Sequence, residues 1–296
     1  AFLASDPLAA WYEQQLYQDH IMHSEQSQFQ KIVLTGWRDD TRLWLDGSLQ
    51  FSTVDEYRYH ETLIQPAMAS LPRIERALVM GGGDGMAVRE ILKRTDVQTV
   101  HLVDLDPAIT RLAQTHPVLV AANSNALGDA RVQVHNRDAF KFLEDTSGGL
   151  YDLIVADFPD PHNEVLSKLY SREIYRLVRH RLSRGGVFVT QATSPFFARD
   201  TFWMIEATLR EVFPHTQPYH EYVPSFGDWG FVMASGLRWQ PDWSRLPRGL
   251  RHITPRVVSN GLSFPPDSAR PEDPGINTLN NPRMYRAYQR GWKNFN

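Results

Sequence analysis

The chain has no cysteine among its 296 residues, which excludes disulfides, thiolate zinc sites and a cysteine nucleophile and fits a reducing compartment. No uninterrupted apolar run approaches the ~18 residues needed to cross a bilayer, and no basic-then-apolar leader stands at the start. A strong excess of either charge is also missing: 31 Lys and Arg against 34 Asp and Glu leave a formal −3. A nucleic-acid surface, with its usual basic excess, is therefore not expected. The chain opens at Ala1 rather than Met, as a processed or excised piece of something longer would. What is present is ordinary for a folded globular protein, 42% apolar and 22% charged. The length allows one large domain, or one domain plus a smaller one.

Three zones stand out. Residues 29–51 hold short β-like runs, FQKIVLTGW and TRLWLDGSLQF, around the polar turn Arg38-Asp39-Asp40, as in a small antiparallel unit. Over residues 57–233 short apolar strands alternate with helical stretches. The pattern predicts strands at 77–81, 99–105, 132–136, 151–158, 186–192 and 230–235. MAVREILKR, PAITRLAQTHPVLV and DAFKFLED lie between the first four, each apolar at helical spacing. Such alternation reads as a doubly wound α/β sheet. After about residue 239 proline and arginine accumulate, and SFPPDSARPEDPG cannot hold regular structure. An extended arm, or a wrap over the core, is expected there.

ALVMGGGDGMAVRE places Gly81, Gly83 and Gly85 between a strand and a helix, where glycine lets the backbone turn sharply and a ligand approach closely. A dinucleotide fingerprint needs its third glycine at position 86, which is Met86. The spacing G-x-G-x-G instead resembles the first motif of adenosylmethionine-type methyltransferase folds. The acid that meets a ribose is expected about 20 positions further on, at the end of the next strand, and Asp104 stands there. A glycine turn without a ligand has the same spacing, but Asp104 favours an adenosine nucleoside. Asp84, inside the turn, would repel phosphate and suit a ligand carrying a cation; it suits a helix cap equally well.

VADFPDPHNE puts Asp157 and Asp160 at the carboxyl end of a strand, the edge where open α/β sheets bind ligands. Pro159 and Pro161 make this a rigid acidic turn rather than a helix face. With Asp84 on the same edge, three carboxylates would line one pocket and call for cations, either metals or ammonium groups. His162 is the only imidazole in that turn, so ammonium explains the cluster with fewer assumptions. Turn formation and capping alone would also use such residues. An amino-group methyltransferase would carry D/N-P-P-Y/F after this strand, and DFPDP spaces its prolines differently. His20, His23 and His135 lie on separate elements and read as surface or packing residues; no metal is expected. The tryptophans read as core or interface residues, with Trp229 the exception.

LDGSLQFSTVDEYRYHE, MGGGDGMAVRE, VDLD, DFPDP and PSFGDWGFVMAS resemble, in order and spacing, the signature blocks of spermidine synthases over residues 30–235. The resemblance implies a small N-terminal antiparallel β domain (1–56), a methyltransferase-like, Rossmann-type doubly wound sheet (57–239) and a Pro-rich C-terminal arm (240–296). It implies a cytoplasmic dimer or tetramer that binds no cofactor permanently. The implied reaction moves the aminopropyl group of decarboxylated S-adenosylmethionine, a co-substrate, to a di- or polyamine, putrescine to spermidine first, and releases methylthioadenosine. By position, Gln30, Gln50 and His60 would contact the donor nucleoside or its aminopropyl arm. Asp84 would hold the donor's ammonium, Asp104 the ribose hydroxyls and Asp138 the adenine amino group. Asp157 would be the base with Tyr59 beside it, and Asp160 would anchor the acceptor amine.

Two departures concern the acceptor side. The family's D-S-[ST]-D-P-x-G-P is here DFPDPHNE, and its P-T-Y-P is VPSFGDWGF, so a tyrosine that contacts the amine becomes Phe226. These variants and the tail GINTLNNPRMYRAYQRGW are similar to a subgroup in which the domain is often fused behind membrane helices. Two rival functions remain open. One is transfer of an aminocarboxypropyl or methyl group from intact S-adenosylmethionine, whose carboxylate would face Asp84. The other is non-catalytic polyamine binding, against which the retention of Asp157 and Tyr59 speaks.

Overall fold

The computed structural model describes residues 7–293 and 295; residues 1–6 of the expected N-terminal domain, and 294 and 296 of the expected arm, lie outside the described residues. The chain divides into two compact units, Ala1–Glu56 and Tyr57–Asn296.

The first unit holds helix α1 (Pro7–Gln14) and an antiparallel meander of β1 (His20–Gln26), β2 (Lys31–Trp37), β3 (Asp40–Leu45) and β4 (Ser48–Ser52). Asp46 and Gly47, at φ 48° and 76°, close the β3–β4 hairpin. An Asp-Gly pair accepts this left-handed conformation, whose twist matches that of the strands it joins. Ile32, Val33, Leu34, Leu43 and Phe51 form the unit's core. Strand β1 is not among the runs that the sequence pattern singles out. Its one β-branched residue is Ile21, and pairing with β2 supplies what propensity does not.

The second unit runs α2 (Glu56–Ala69), β5 (Arg76–Gly81), α3 (Met86–Leu92), β6 (Thr99–Asp104), α4 (Pro107–Thr115), α5 (Pro117–Ala122), β7 (Val132–Asn136) and α6 (Ala139–Glu144). It continues with β8 (Tyr151–Asp157), α7 (Glu164–Lys168), α8 (Arg172–Arg181), β9 (Leu182–Gln191), α9 (Arg199–Arg210), β10 (His215–Val223), β11 (Gly227–Ser235), α10 (Pro255–Asn260) and α11 (Met284–Trp292). The seven strands lie in the order β10-β11-β9-β8-β5-β6-β7, parallel from β9 to β7 and antiparallel at β11 and β10.

Successive strand residues point to opposite faces, and both faces here are covered. Val79, Leu102, Val155 and Val189 pack in one layer with Leu63 and Ile64 of α2 and Val88 and Ile91 of α3. Leu78, Val103, Ile154 and Phe188 pack in the other, with Phe142 of α6, Val178 of α8, Ile205 of α9 and Met284 of α11. Burial on both sides is why these strands read as unbroken apolar runs rather than alternating ones. The doubly wound architecture and the small antiparallel sheet ahead of it are as the sequence predicts.

Local differences have local causes. The helix expected across 107–120 breaks at His116, extended at φ −77° and ψ 122°, because the residue before a proline avoids the helical region. Strand β10 escapes the pattern: HTQPYHEYV contains Pro218, which an edge strand tolerates, and β10 pairs only with β11. Pro66 lies inside α2 and leaves the Thr62 carbonyl without its helical donor. The Tyr219 hydroxyl donates to that carbonyl instead, at 3.0 Å.

Past Ser235 the chain is fastened by backbone groups that it cannot pair within itself. The buried Glu61 carboxylate accepts from the amides of Arg251 (2.8 Å), His252 (2.9 Å) and Ile253 (3.0 Å). Trp203 Nε1 donates to the Ser268 carbonyl at 2.8 Å. The stretch SFPPDSARPEDPG itself forms no helix or strand, while α10 and α11 flank it. Among the described residues no helix is long and apolar enough to cross a membrane.

Candidate active site

The order of strands reverses between β5 and β8, since the chain proceeds from β5 through β6 to β7 on one side and then to β8 and β9 on the other. A crevice opens outside the carboxyl ends at such a switch point. Tyr59, Asp84, Asp104 and Asp157 come together there.

Gly81, Gly82 and Gly85 have φ of 75°, 63° and 84°, a region that side chains oppose. Close approach adds to this: a Cβ on Gly81 would lie 2.2 Å from the Asp157 carbonyl oxygen, and one on Gly83 2.7 Å from Asp104 Oδ2. Gly82, not singled out by motif spacing, is a further member of the turn. Asp104 ends β6 and accepts from the Gly83 amide (3.0 Å) and the Asp106 amide (2.9 Å). Burial pushes its carboxyl up to about 6, and the Asp84 charge adds to this. Asp138, just beyond the neighbouring β7, caps α6 by accepting from the Lys141 amide at 3.0 Å. Asp84 Oδ1 accepts from the Met86 amide at 2.8 Å just ahead of α3; the N-cap itself is Gly85, with no side-chain capping bond, so Asp84 closes the turn rather than serving as the expected helix cap.

Asp157, at the end of β8, is the centre of the crevice. Tyr59 of α2 donates its hydroxyl to Asp157 Oδ1 at 2.6 Å. Burial raises the Asp157 carboxyl to about 6, with Asp84 acting in the same direction and His60 against it. Burial, and then the Asp157 charge, hold the Tyr59 phenol well above its ordinary value, so it stays a donor. The Tyr59 ring meets His60 edge-on at 5.0 Å and Phe226 at 6.0 Å; Phe226 in turn leans on Trp229 at 5.0 Å. An apolar aromatic wall thus stands beside the carboxylate.

Asp160 sits in the irregular turn after β8. Its Oδ1 accepts from Gln191 Nε2 and its Oδ2 from the Thr193 hydroxyl, both at 3.1 Å. Burial raises this carboxyl as well. Thr193 has φ 58°, an outlier for a β-branched residue and a sign of backbone strain at a functional position. The turn is braced by Tyr170, whose hydroxyl bonds the Phe158 and Pro159 carbonyls at 3.1 and 3.0 Å.

Sequence reasoning missed Gln191, Thr193 and Tyr170. Gln191 and Thr193 could have been read from their place at the end of a strand on the same edge; no spacing rule connects Tyr170 to the turn it braces. Gln30 and Gln50 belong to the N-terminal unit, Gln30 immediately ahead of β2 and Gln50 on β4, its Nε2 donating to the Ser48 carbonyl at 3.0 Å. Among the described residues no group of three or more His, Asp or Glu could hold a metal ion.

The crevice can therefore orient a cation between carboxylates, with one carboxylate poised to take a proton. Residues 56–239 match the model of the spermine/spermidine synthase domain. A polyamine aminopropyltransferase of Oceanobacillus iheyensis is 47% identical over 297 residues, covering 98% of this chain and 57% of the relative. The polyamine aminopropyltransferase 2 of Ralstonia nicotianae is 45% identical over 295 residues, with shares of 98% and 57%. The chain thus spans little more than half the length of these relatives. In fold it is similar to a spermidine synthase solved with the transition-state analogue AdoDATO, at a TM-score of 0.78 and 24% identity over 83% of this chain and 86% of the other. The spermidine synthase of Thermotoga maritima gives 0.75 at 24% identity, over 83% and 85%. The chain belongs to the spermine/spermidine synthase family.

Proposed function

We propose that this chain is a polyamine aminopropyltransferase, moving the aminopropyl group of decarboxylated S-adenosylmethionine to a diamine, with putrescine the first candidate. The observation that carries the proposal is the Tyr59–Asp157 pair, 2.6 Å apart, set among Asp84 and Asp160 at the sheet's carboxyl edge. These carboxylates suit two ammonium-bearing substrates, and no phosphate would be held beside them.

In this reading Asp104 receives the donor's ribose hydroxyls, Asp138 its adenine amino group and Asp84 its terminal ammonium, with His60 as a further donor contact. Asp160 anchors the far ammonium of the acceptor, and Phe226 and Trp229 flank its methylene chain. The near amine loses a proton to Asp157, because an ammonium has no lone pair with which to attack. Its nitrogen then displaces at the methylene carbon next to the sulfonium. The new C–N bond forms as the C–S bond breaks, and that electron pair stays on sulfur, giving neutral methylthioadenosine. The sulfonium is already an activated leaving group, so alignment and deprotonation supply most of the acceleration. A homodimeric or homotetrameric assembly and a cytoplasmic location belong to the same proposal on the strength of the family resemblance.

The test is incubation with decarboxylated or intact S-adenosylmethionine, each with putrescine, cadaverine or spermidine, followed by mass spectrometry. Methylthioadenosine and an aminopropylated amine from the decarboxylated donor alone are expected. A carboxylated amine or S-adenosylhomocysteine from the intact donor would overturn the reading, as would silence with every pair.

A further inference from the structure

We propose that Thr193, just beyond the end of β9, is a positioning residue of the acceptor site, its hydroxyl aiming the Asp160 carboxylate at the distal ammonium of a diamine. The inference rests on the function proposed above and gives a role to a residue that neither motif nor spacing singles out.

The contact is direct. The Thr193 hydroxyl donates to Asp160 Oδ2 and Gln191 Nε2 to Asp160 Oδ1, both at 3.1 Å. One neutral donor thus holds each carboxylate oxygen. Neutral donors orient a carboxylate without discharging it, and its two oxygens offer about four acceptor positions, so room is left for an ammonium. The two donors are not equivalent. Gln191 Nε2 also faces the Tyr170 hydroxyl at 2.6 Å and the Phe158 carbonyl at 2.7 Å. Its two protons are divided among three acceptors, of which Asp160 is the most distant. The single hydroxyl proton of Thr193 goes to Asp160, and it therefore has the larger say in where that carboxylate points.

The choice of residue agrees with this. Thr193 has φ 58°, in the left-handed region, where sterics oppose a β-branched side chain but not glycine. A turn that needed only this backbone shape would be served by glycine; threonine adds a hydroxyl. Such strain persists only where the surroundings over-determine the conformation, and here they do. Thr193 is fully buried. Its amide donates to Gln191 Oε1 at 2.8 Å, and its carbonyl accepts from the Gly230 amide at 2.7 Å. Gly230 permits that approach, since a Cβ there would lie 2.8 Å from the Thr193 carbonyl oxygen and would run into the Phe202 ring. Ser194 fixes the chain beyond, its hydroxyl accepting from the amides of Phe196 (3.2 Å) and Phe197 (3.1 Å). Amide, carbonyl and hydroxyl of Thr193 are thus committed in three directions, to Gln191, β11 and Asp160. Gly230 follows Trp229 on β11, so the same backbone bond ties the anchoring carboxylate to the aromatic wall.

The experiment compares the intact protein with Thr193→Val, Thr193→Ser and Thr193→Gly. Thr193→Val keeps the branched shape and removes the hydroxyl, Thr193→Ser keeps the hydroxyl without the branch, and Thr193→Gly removes both and relaxes the backbone. A hydrogen bond to a charged group is worth roughly tenfold or more in binding. The diamine KM should therefore rise about tenfold in Thr193→Val and Thr193→Gly and stay within about threefold in Thr193→Ser. Donor KM and kcat at saturating diamine should change less than about threefold in all three. An unchanged diamine KM in Thr193→Val would overturn the proposal. So would equal losses in Thr193→Val and Thr193→Ser, which would mark a packing role, or equal losses for donor and acceptor. Should Thr193→Val fail to fold, Thr193→Gly against Thr193→Ser decides by the same criteria. Should the unaltered protein form no aminopropylated amine, the function proposed above fails first. Calorimetric titration with putrescine then decides the role of Thr193: binding about tenfold weaker without the hydroxyl but not in Thr193→Ser supports it, and equal or absent binding in all the proteins overturns it.

Discussion

The Tyr59 hydroxyl donates to Asp157 Oδ1 at 2.6 Å across 98 residues of sequence. The phenol occupies one oxygen of a carboxylate that burial has raised to about 6, the carboxylate proposed to take the acceptor's proton. Asp157→Asn keeps the shape and the acceptor for Tyr59 but cannot take a proton. It should lower kcat by roughly 10²–10⁴ with donor affinity nearly unchanged. In the unaltered protein kcat/KM should rise with pH through about 6. Steady-state kinetics in both proteins check this.

The same carboxyl opposes folding once it ionises. Its proton is held more tightly in the folded state, about 6 against an ordinary 3.8. The stabilising preference for the protonated form is complete below the unfolded value and lost as pH rises through the folded one. Asp157→Asn should accordingly raise the unfolding free energy at pH 8 by up to ~3 kcal/mol. The gain should shrink steadily from pH 6 to pH 4, as urea denaturation at several pH values would show.

Asp84 is proposed to hold the donor's ammonium, and its Oδ1 accepts from the Met86 amide at 2.8 Å, a bond that an Asn side-chain oxygen can accept as well. Asp84→Asn should leave the melting temperature nearly unchanged, weaken the decarboxylated donor about tenfold or more, and narrow discrimination against intact S-adenosylmethionine. Asp84→Ala should add a stability loss of about 1 kcal/mol. Calorimetric titration and thermal melts distinguish the two.

Gly83 lies against Asp104, and a Cβ there would come within 2.7 Å of Asp104 Oδ2 and 2.8 Å of Ile109 Cγ2. Gly83→Ala must displace the carboxylate proposed to hold the ribose. The donor KM should rise more than tenfold while the diamine KM moves little, because Asp157 and Asp160 stand on another strand end.

Glu61 holds the tail through the amides of Arg251, His252 and Ile253. Glu61→Gln points an NH₂ group at one or two of these amides. The change should cost ~2–4 kcal/mol of stability and make the segment after residue 235 easier to cleave in limited proteolysis.

Much of this protein could be read along the chain, because the relevant physics is local. Apolar runs such as ALVM and LIVA mark parallel strands buried on both faces, and Gly81, Gly83 and Gly85 mark a turn that only small residues can make. Asp104 and Asp157 sit at strand ends, so the α/β pattern alone put them on one edge of the sheet. What the linear pattern could not contain were contacts made after long excursions. Strand β10 reads as polar and holds Pro218, and only its place at the sheet edge makes it a strand. Pro66 is tolerated inside α2 because Tyr219 answers the Thr62 carbonyl from a distant strand. Helix α11 joins the core through Met284 and Ala287, and Gly291 lets it lie against the backbone at Phe197. The sequence by itself determined the buried strands from β5 to β9, the helices between the first four of them and the edge that carries the carboxylates, since backbone conformation and solvent exposure act over a few residues. Which hydroxyls and amides complete those carboxylates was decided only by tertiary packing, because a hydrogen bond needs two groups within about 3 Å and packing alone brings distant segments that close.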